Sequence, residues 1–164
     1  MWQGSVVSIH IAPAASEPMV TLTEVRALPG RGLEGDRYAL GTGHYSPRPS
    51  PGGREVTLIE MESVDALEHG IVDSSGERLG VKISAAETRR NIATSGVPLN
   101  HLVDRTFRVG GVRMRGTRLC EPCTYLEGLT ARPRLMNGLL HRGGLRAQIL
   151  SEGVIRVGDV IRPD

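Results

Sequence analysis

The sequence predicts a mainly β fold, a barrel with a few peripheral α-helices. Short segments rich in β-branched residues recur between Gly and Pro, and several come in pairs joined by hairpin-type turns. Only one stretch has the apolar periodicity of a convincing helix. Because strands outnumber helices, the most economical architecture closes the strands into a barrel and leaves the helices outside.

At least six strands are expected, each a short run of β-branched residues bounded by turn residues. They span residues 6–11, 20–25, 106–109, 112–115, 145–150 and 154–157. Gly110-Gly111 predicts a hairpin between the third and fourth strands. Ser151-Glu152-Gly153 predicts another hairpin between the last two.

The one clear helical pattern covers residues 58–69 and ends at Gly70. Its apolar face is formed by Leu58, Ile59, Met61, Val64 and Leu67. Shorter helical turns are expected over residues 98–103, 122–127 and 132–140. Residues 29–54 are rich in Gly and Pro and predict a long loop, and loops of that length are usually functional or mobile.

Size and charge limit the class of protein. The 164 residues, 39% of them apolar, fit a single domain spanning residues 1–164. Nineteen of the 20 cationic residues are Arg, but 18 acidic residues leave a net charge of only +2. Such balance disfavours non-specific duplex binding, and five aromatic residues offer no stacking platform for single strands, so nucleic acid is not expected as a partner.

The sequence predicts a cytoplasmic protein that does not enter a membrane. The first residues lack a basic, then apolar, secretory signal, and no stretch approaches the ~20 apolar residues of a membrane span. Its two cysteines, Cys120 and Cys123, are too few for a disulfide framework.

Residues 30–35 spell G-x-G-x-x-G, but they are followed by further Gly and Pro rather than by a helix. This context disfavours a dinucleotide-binding turn, which needs a helix N-terminus to receive the pyrophosphate. Two interpretations are possible. The segment is either a solvated surface loop or an amide-rich loop that binds an anion, with side chains from Arg37, His44, Arg48 and Arg54.

Cys120-Glu121-Pro122-Cys123 allows four interpretations. It has the spacing of half a zinc site, without a second ligand pair, and that of a redox pair, without a thioredoxin-like setting. The two thiols could also be small buried hydrophobes. In the fourth interpretation Pro122 opens a short helix whose free amides, with Arg118 nearby, favour the Cys123 thiolate, which can carry a sulfane sulfur or bind a soft metal.

A polar segment surrounds Arg89, Arg90 and Asn91. Guanidinium groups offer planar forks of donors, so this segment could hold a phosphate or a multiply hydrogen-bonded heterocycle. The alternative interpretation is that these polar side chains are solvated at the end of a surface strand.

Five motifs in order resemble the pattern of the MOSC domain, the molybdenum cofactor sulfurase C-terminal domain family. They are residues 32–37 (GLEGDR), 54–60 (REVTLIE), 89–92 (RRNI, with Gly96), 122–123 (PC) and 153–159 (GVIRVGD). The resemblance covers about residues 30–161 and implies a barrel-like β fold with one important cysteine, matched by Cys123.

In this family the cysteine is thought to carry sulfur as a persulfide or to ligate molybdenum held by a pyranopterin. The resemblance therefore makes Cys123 the catalytic residue and the molybdenum ligand. It implies a molybdenum cofactor or similar anionic ligand in a pocket over which residues 30–54 would close. The residues expected to bind the cofactor are Arg37, His44, Arg54, Arg89, Arg90 and Asn91. Cys120 is an additional thiol that could resolve a persulfide or form a regulatory disulfide.

Three functions follow as alternatives: sulfur carriage for metal-cofactor assembly, molybdenum-dependent reduction of N-hydroxylated compounds, and a non-catalytic ligand-binding or assembly module. The chain is too short for the pyridoxal-phosphate domain of cofactor sulfurases, and Lys82 sits in no Schiff-base setting, so pyridoxal phosphate is not expected. A separate sulfur donor, such as a cysteine desulfurase, or an electron-donor protein is expected as partner.

Overall fold

The computed structural model describes residues 1–164. Its thirteen strands are β1 (Gly4–Ile11), β2 (Val20–Leu22), β3 (Glu24–Leu28), β4 (Gly32–Leu33), β5 (Val56–Glu60), β6 (Ile71–Val72), β7 (Arg78–Leu79), β8 (Ile92–Ser95), β9 (Thr106–Val109), β10 (Val112–Leu119), β11 (Leu145–Ile149), β12 (Gly153–Arg156) and β13 (Val160–Pro163). Its four α-helices are α1 (Arg37–Leu40), α2 (Met61–His69), α3 (Thr124–Thr130) and α4 (Leu135–Leu139). Two 3₁₀ turns span Ala86–Thr88 and Leu99–Leu102.

Seven strands form a closed barrel in the order β13-β9-β10-β11-β5-β8-β1, and pairing of β1 with β13 completes the ring. All neighbours are antiparallel apart from β5 and β8. The predicted barrel with few helices is therefore confirmed. The hairpin at Gly110-Gly111 is confirmed too, since Val109 pairs with Val112 across it.

The second predicted hairpin is wrong, although both of its strands exist. β11 is paired on both edges, to β10 and to β5, so no edge remains for β12. β12 instead pairs with β3 in a separate three-stranded sheet that ends with β4. The predicted strand over residues 20–25 is likewise split at Thr23, because β2 extends the barrel sheet at β1 and β3 pairs with β12.

The predicted helix starts three residues too early. Leu58 and Ile59 belong to β5, and both are fully buried: Leu58 lies in the barrel core and Ile59 lies under α2. A strand that is covered on both faces does not alternate polar and apolar residues. Its apolar residues therefore extend the pattern of the helix that follows, and the sequence predicts one longer helix. α2 ends as predicted at Gly70, whose φ of 95° favours glycine.

The fold has two apolar clusters. The larger fills the barrel with residues such as Ile9, Leu58 and Phe107. The smaller joins the outer barrel wall to α2, α3 and α4, and Cys123 packs against its edge. None of the four helices is long and apolar enough to cross a membrane.

Short helical segments lie at all three places predicted from the sequence. The long Gly/Pro-rich stretch is more structured than expected, because it contains β4 and α1. The Asp36 side chain caps α1 by accepting from the Tyr38 amide.

Candidate functional site

A cavity of about 470 Å³ lies where three parts of the chain meet. They are the loop of residues 42–54, the segment of residues 88–90, and the connection from β10 to α3, which carries both cysteines. The lining residues are Ala15, Arg37, Tyr38, His44, Tyr45, Arg48, Arg54, Thr57, Arg89, Arg90, Arg118, Leu119, Cys120, Glu121, Cys123, Tyr125, Leu126 and Arg146.

The cavity is strongly cationic. Seven of its lining residues are Arg, whereas Glu121 is its one acidic residue. The Glu121 carboxylate accepts from the His141 backbone N–H at 3.1 and 3.2 Å. Of the seven arginines only Arg37 forms an ion pair, with Asp36 at 3.0 Å. The concentration of unpaired guanidinium charge indicates a binding site for an anion.

Three guanidinium nitrogens of cavity-lining arginines are buried without a hydrogen-bond partner: Arg54 Nε, Arg89 Nη2 and Arg118 Nε. A buried donor without a partner costs about 1–3 kcal/mol, and more when charged. An anion that reached these nitrogens would supply the missing acceptors.

Arg89 is the clearest example. It ends the 3₁₀ turn with a left-handed backbone (φ 62°), and its Nη1 donates to the Glu17 carbonyl at 2.6 Å. Burial, followed by the charge of Arg37, lowers the pKa of the Arg89 guanidinium. Burial and the Arg37 charge thus disfavour its cationic form, which a bound anion would favour.

Arg90 also lines the cavity, but its donors are used within the protein. Nε, Nη1 and Nη2 donate to the carbonyls of Gly143, Thr88 and Cys120 at 2.7, 3.1 and 2.8 Å. Glycine is required at position 143, because a Cβ there would lie 2.4 Å from the Cys120 carbonyl oxygen. Arg90 thereby fixes the backbone that leads to Cys123.

Asn91 does not reach the cavity. It is fully buried, and its side chain accepts from the Thr57 amide and donates to the His10 carbonyl, each at 3.1 Å. Its amide therefore joins β1 to β5 behind the site, and the structure does not place it where it could touch a ligand.

The two cysteines differ in position. Cys123 is the partly exposed N-cap residue of α3, and Pro122 precedes the cap instead of opening the first turn as predicted. Cys120 is 2% exposed, and its N–H donates to the Gly144 carbonyl at 2.7 Å. Both thiols are free. No group of three or more His, Cys, Asp or Glu side chains is arranged to hold a metal ion.

Three aromatic side chains, those of His44, Tyr45 and Tyr125, line the same cavity as Cys123. The His44 ring stacks on Tyr125 with 3.9 Å between centroids, and Tyr45 meets His44 edge-on at 4.7 Å. Hydrogen bonding to Cys123 is the largest cause that raises the pKa of Tyr45 to about 12, followed by burial. The Tyr45 phenol thus stays protonated beside the sulfur.

The fold brings together most of the predicted site residues: Arg37, His44, Arg54, Arg89, Arg90 and Cys123 all line the cavity. Tyr45, Tyr125 and Arg146 also line the cavity but were not predicted from the sequence, and Arg118 was predicted only as a neighbour of Cys123. Tyr45 and Tyr125 had one available signal, since they are direct neighbours of His44 and close neighbours of Cys123 in a chain with only three tyrosines.

Comparison with known proteins identifies the class. The family model of the MOSC domain matches residues 32–162, so the chain belongs to the MOSC domain family. The structure resembles the crystal structure of the YuaD protein from Bacillus subtilis, with a TM-score of 0.72 and 19% identity over 98% of this chain and 97% of that one. No functionally curated protein matches the chain.

Two further solved structures share the fold. YiiM from Geobacillus stearothermophilus has a TM-score of 0.64 and 16% identity, covering 98% of this chain and 75% of its own. YiiM from Escherichia coli has a TM-score of 0.63 and 15% identity, covering all of this chain and 70% of its own.

Proposed function

We propose that this protein binds an anionic, pterin-based molybdenum cofactor in the arginine-lined cavity and presents Cys123 as the working sulfur. The observation that carries the proposal is the set of unpartnered guanidinium donors in the cavity that also holds Cys123. The cytoplasmic location expected from the sequence stays a prediction.

The residues fit such a group. Arg54, Arg89 and Arg118 offer buried donors that need acceptors, as a phosphate provides. The cavity volume of about 470 Å³ falls within the ~300–1,000 Å³ range of small-molecule sites. When bound, the cofactor would supply a molybdenum ion that takes soft sulfur ligands and exchanges electrons with a substrate.

Cys123 would serve either of two activities. As a ligand, its thiolate would hold the metal, and an electron-donor protein would support reduction of N-hydroxylated compounds. As a sulfur carrier, the thiolate would attack the outer sulfur of a donor persulfide. The donor S–S bond breaks, a new S–S bond forms on Cys123, and the donor leaves as a thiolate. A cysteine desulfurase is the kind of partner that could supply this persulfide.

Cofactor binding is tested by expressing the protein with molybdate and measuring bound molybdenum and oxidised pterin fluorescence. Arg89→Ala should lose most of both, whereas Arg105→Ala, an exposed arginine outside the cavity, should keep them. Absence of pterin from the wild-type protein, or equal retention by both variants, would refute the proposal.

Sulfur carriage is tested by incubating the protein with a donor persulfide and following the mass of one added sulfur on each cysteine peptide. Cys123→Ser should abolish the added sulfur and Cys120→Ser should leave much of it. Molybdenum bound through Cys123 without sulfur uptake would select the reductase role. Thiols that stay inert toward iodoacetamide near pH 6 would instead favour the non-catalytic binding module.

A further inference from the structure

We propose that a second cavity, which shares Tyr38, Arg48 and Arg54 with the arginine-lined cavity, binds the nucleotide half of a ligand whose other half lies beside Cys123. The ligand class is a pterin cofactor extended by a nucleotide through a diphosphate link. This inference rests on the proposed function in taking the first half of the ligand as a pterin.

The first support is the size and position of the second cavity. It has a volume of about 450 Å³ and lies between the turn at residues 30–31, α1 and the loop of residues 42–54. Each of the two cavities falls within the ~300–1,000 Å³ range of small-molecule sites. Two adjoining cavities of this size suit a ligand with two bulky parts and a narrower link at the shared residues.

The second support is the positive charge where the cavities adjoin. The guanidinium carbons of Arg48 and Arg54 lie 5.4 and 5.3 Å from the centroid of the Tyr45 ring, so they are no farther apart than the sum of these distances. The Nε of Arg54 is buried without a hydrogen-bond partner. Two neighbouring guanidinium groups suit a diphosphate, because its anionic oxygens accept forked hydrogen bonds.

The third support is the mixed chemistry of the second cavity. Leu40, the last residue of α1, is 52% exposed and offers an apolar surface to a base. Glu55 is buried, and its Oε1 accepts from the Gly30 and Ile149 amides at 2.9 and 3.2 Å. A Cβ on Gly53, which also lines this cavity, would lie 3.6 Å from the other oxygen, Oε2.

The Glu55 carboxylate distinguishes this cavity from a plain phosphate site. A carboxylate accepts hydrogen bonds and repels anions, so it does not favour inorganic phosphate. A nucleoside brings donors, the sugar hydroxyls and the N–H groups of the base, for which Oε2 is available. The second cavity therefore combines an apolar surface, an acceptor and a cationic border, as a nucleotide requires.

The wall between the cavities is held by packing and by a hydrogen bond. A Cβ on Gly43 would lie 2.8 Å from Cε1 of Tyr38, so the backbone of the loop packs directly on this ring. Arg118, which lines the arginine-lined cavity, donates to the hydroxyl of Ser50, which lines the second cavity, at 2.6 Å. The fold thus fixes the position of one cavity relative to the other.

The first test titrates the protein, purified without molybdate, with GDP, CDP, ADP and inorganic phosphate by isothermal titration calorimetry. At least one nucleoside diphosphate should bind about tenfold more tightly than phosphate, because base and sugar add contacts. Arg31→Ala, which changes the second cavity alone, should weaken that binding about tenfold. The matched control is Arg105→Ala, an exposed arginine outside both cavities, which should bind like the wild type.

A further variant separates base contacts from phosphate contacts. Leu40→Ser should weaken the nucleoside diphosphate about fivefold and leave phosphate binding unchanged. The proposal is overturned if no nucleoside diphosphate binds more tightly than phosphate, or if Arg31→Ala and Arg105→Ala have equal effects.

The second test expresses the protein with molybdate, releases the bound small molecules with acid and measures pterin and nucleoside monophosphate by mass spectrometry. We expect the two in equimolar amounts. Pterin without nucleotide would overturn this inference and leave the proposed function standing. Absence of pterin and molybdenum would refute the proposed function, and the calorimetric titration would still decide whether the second cavity takes a nucleotide.

Discussion

The imidazole of His44 lies flat on the phenol ring of Tyr125, with planes 4° apart and centroids separated by 3.9 Å. The two residues are 81 positions apart in the chain. Their contact joins the loop of residues 42–54 to the first turn of α3, two residues beyond Cys123. All three residues line the same cavity, so the stack ties the loop to the helix that begins beside Cys123.

Loss of this stack should widen access to Cys123. A stacked aromatic pair contributes about 1 kcal/mol, which corresponds to about a fivefold change in the fraction of open molecules. We expect His44→Ala to raise the alkylation rate of Cys123 by a bulky maleimide about fivefold, with a smaller change for iodoacetamide. Equal changes for both reagents would show that the stack does not limit access.

We expect Arg90→Ala to lower the free energy of unfolding much more than Arg89→Ala does. Arg90→Ala leaves the buried carbonyls of Thr88, Cys120 and Gly143 without their donor, and we expect the free energy of unfolding to fall by about 3 kcal/mol or more. Arg89→Ala removes one hydrogen bond and an already unpartnered nitrogen, so its cost should be about 1 kcal/mol. Urea denaturation of both variants measures the difference, and equal losses would contradict it.

Residues 89–91 show what the sequence could and could not predict about the site. Residues 89–91 predicted a single polar binding segment, yet the three side chains diverge: one has a free donor in the cavity, one clamps carbonyls, and one is buried behind the site. The consecutive residues just before β8 face different directions, and their hydrogen-bond partners, such as Gly143, are distant in sequence. Composition and spacing carry no information about such partners.

The fold was more predictable than the site for the same reason. The hairpin at Gly110-Gly111 depends on adjacent residues and was predicted correctly. The false hairpin at Ser151 had equally good local turn residues, but β11 already had both neighbours from β5 and β10. The seven arginines that line one cavity likewise come from segments distant in sequence.

His10 should make stability depend on pH. It is buried behind the site, where its Nδ1 donates to the Arg90 carbonyl at 3.1 Å, and burial lowers its pKa. Because the folded state binds a proton less readily than the unfolded state, the contribution of neutral His10 is present above about pH 6.5 and is lost as pH falls toward the lowered folded pKa.

The measurement compares wild type with His10→Gln in urea at pH 7.5 and 5.0. The stability advantage of the wild type should shrink at the lower pH. His69→Gln, which changes an exposed histidine, should show no such narrowing. If the stability advantage of the wild type over His10→Gln instead increased at pH 5.0, the lowered pKa of His10 would be contradicted.

The two thiols should not form a disulfide with each other. Residues 120–123 form no turn or bend and the Cys123 backbone is extended, whereas a disulfide needs Cα atoms within about 7 Å. The Cys120 backbone is also held at both polar groups, by the Gly144 carbonyl and by Arg90. A regulatory disulfide would therefore require this backbone to move.

We expect diamide to leave both cysteines unlinked in the folded protein, and iodoacetamide to label Cys123 well before the buried Cys120. Mass spectrometry of the Cys120–Cys123 peptide distinguishes the cases, since a disulfide lowers its mass by two hydrogens. Finding that species would show that the connection moves in solution, while preferential labelling of Cys120 would mean that the resemblance assigns the working sulfur to the wrong residue.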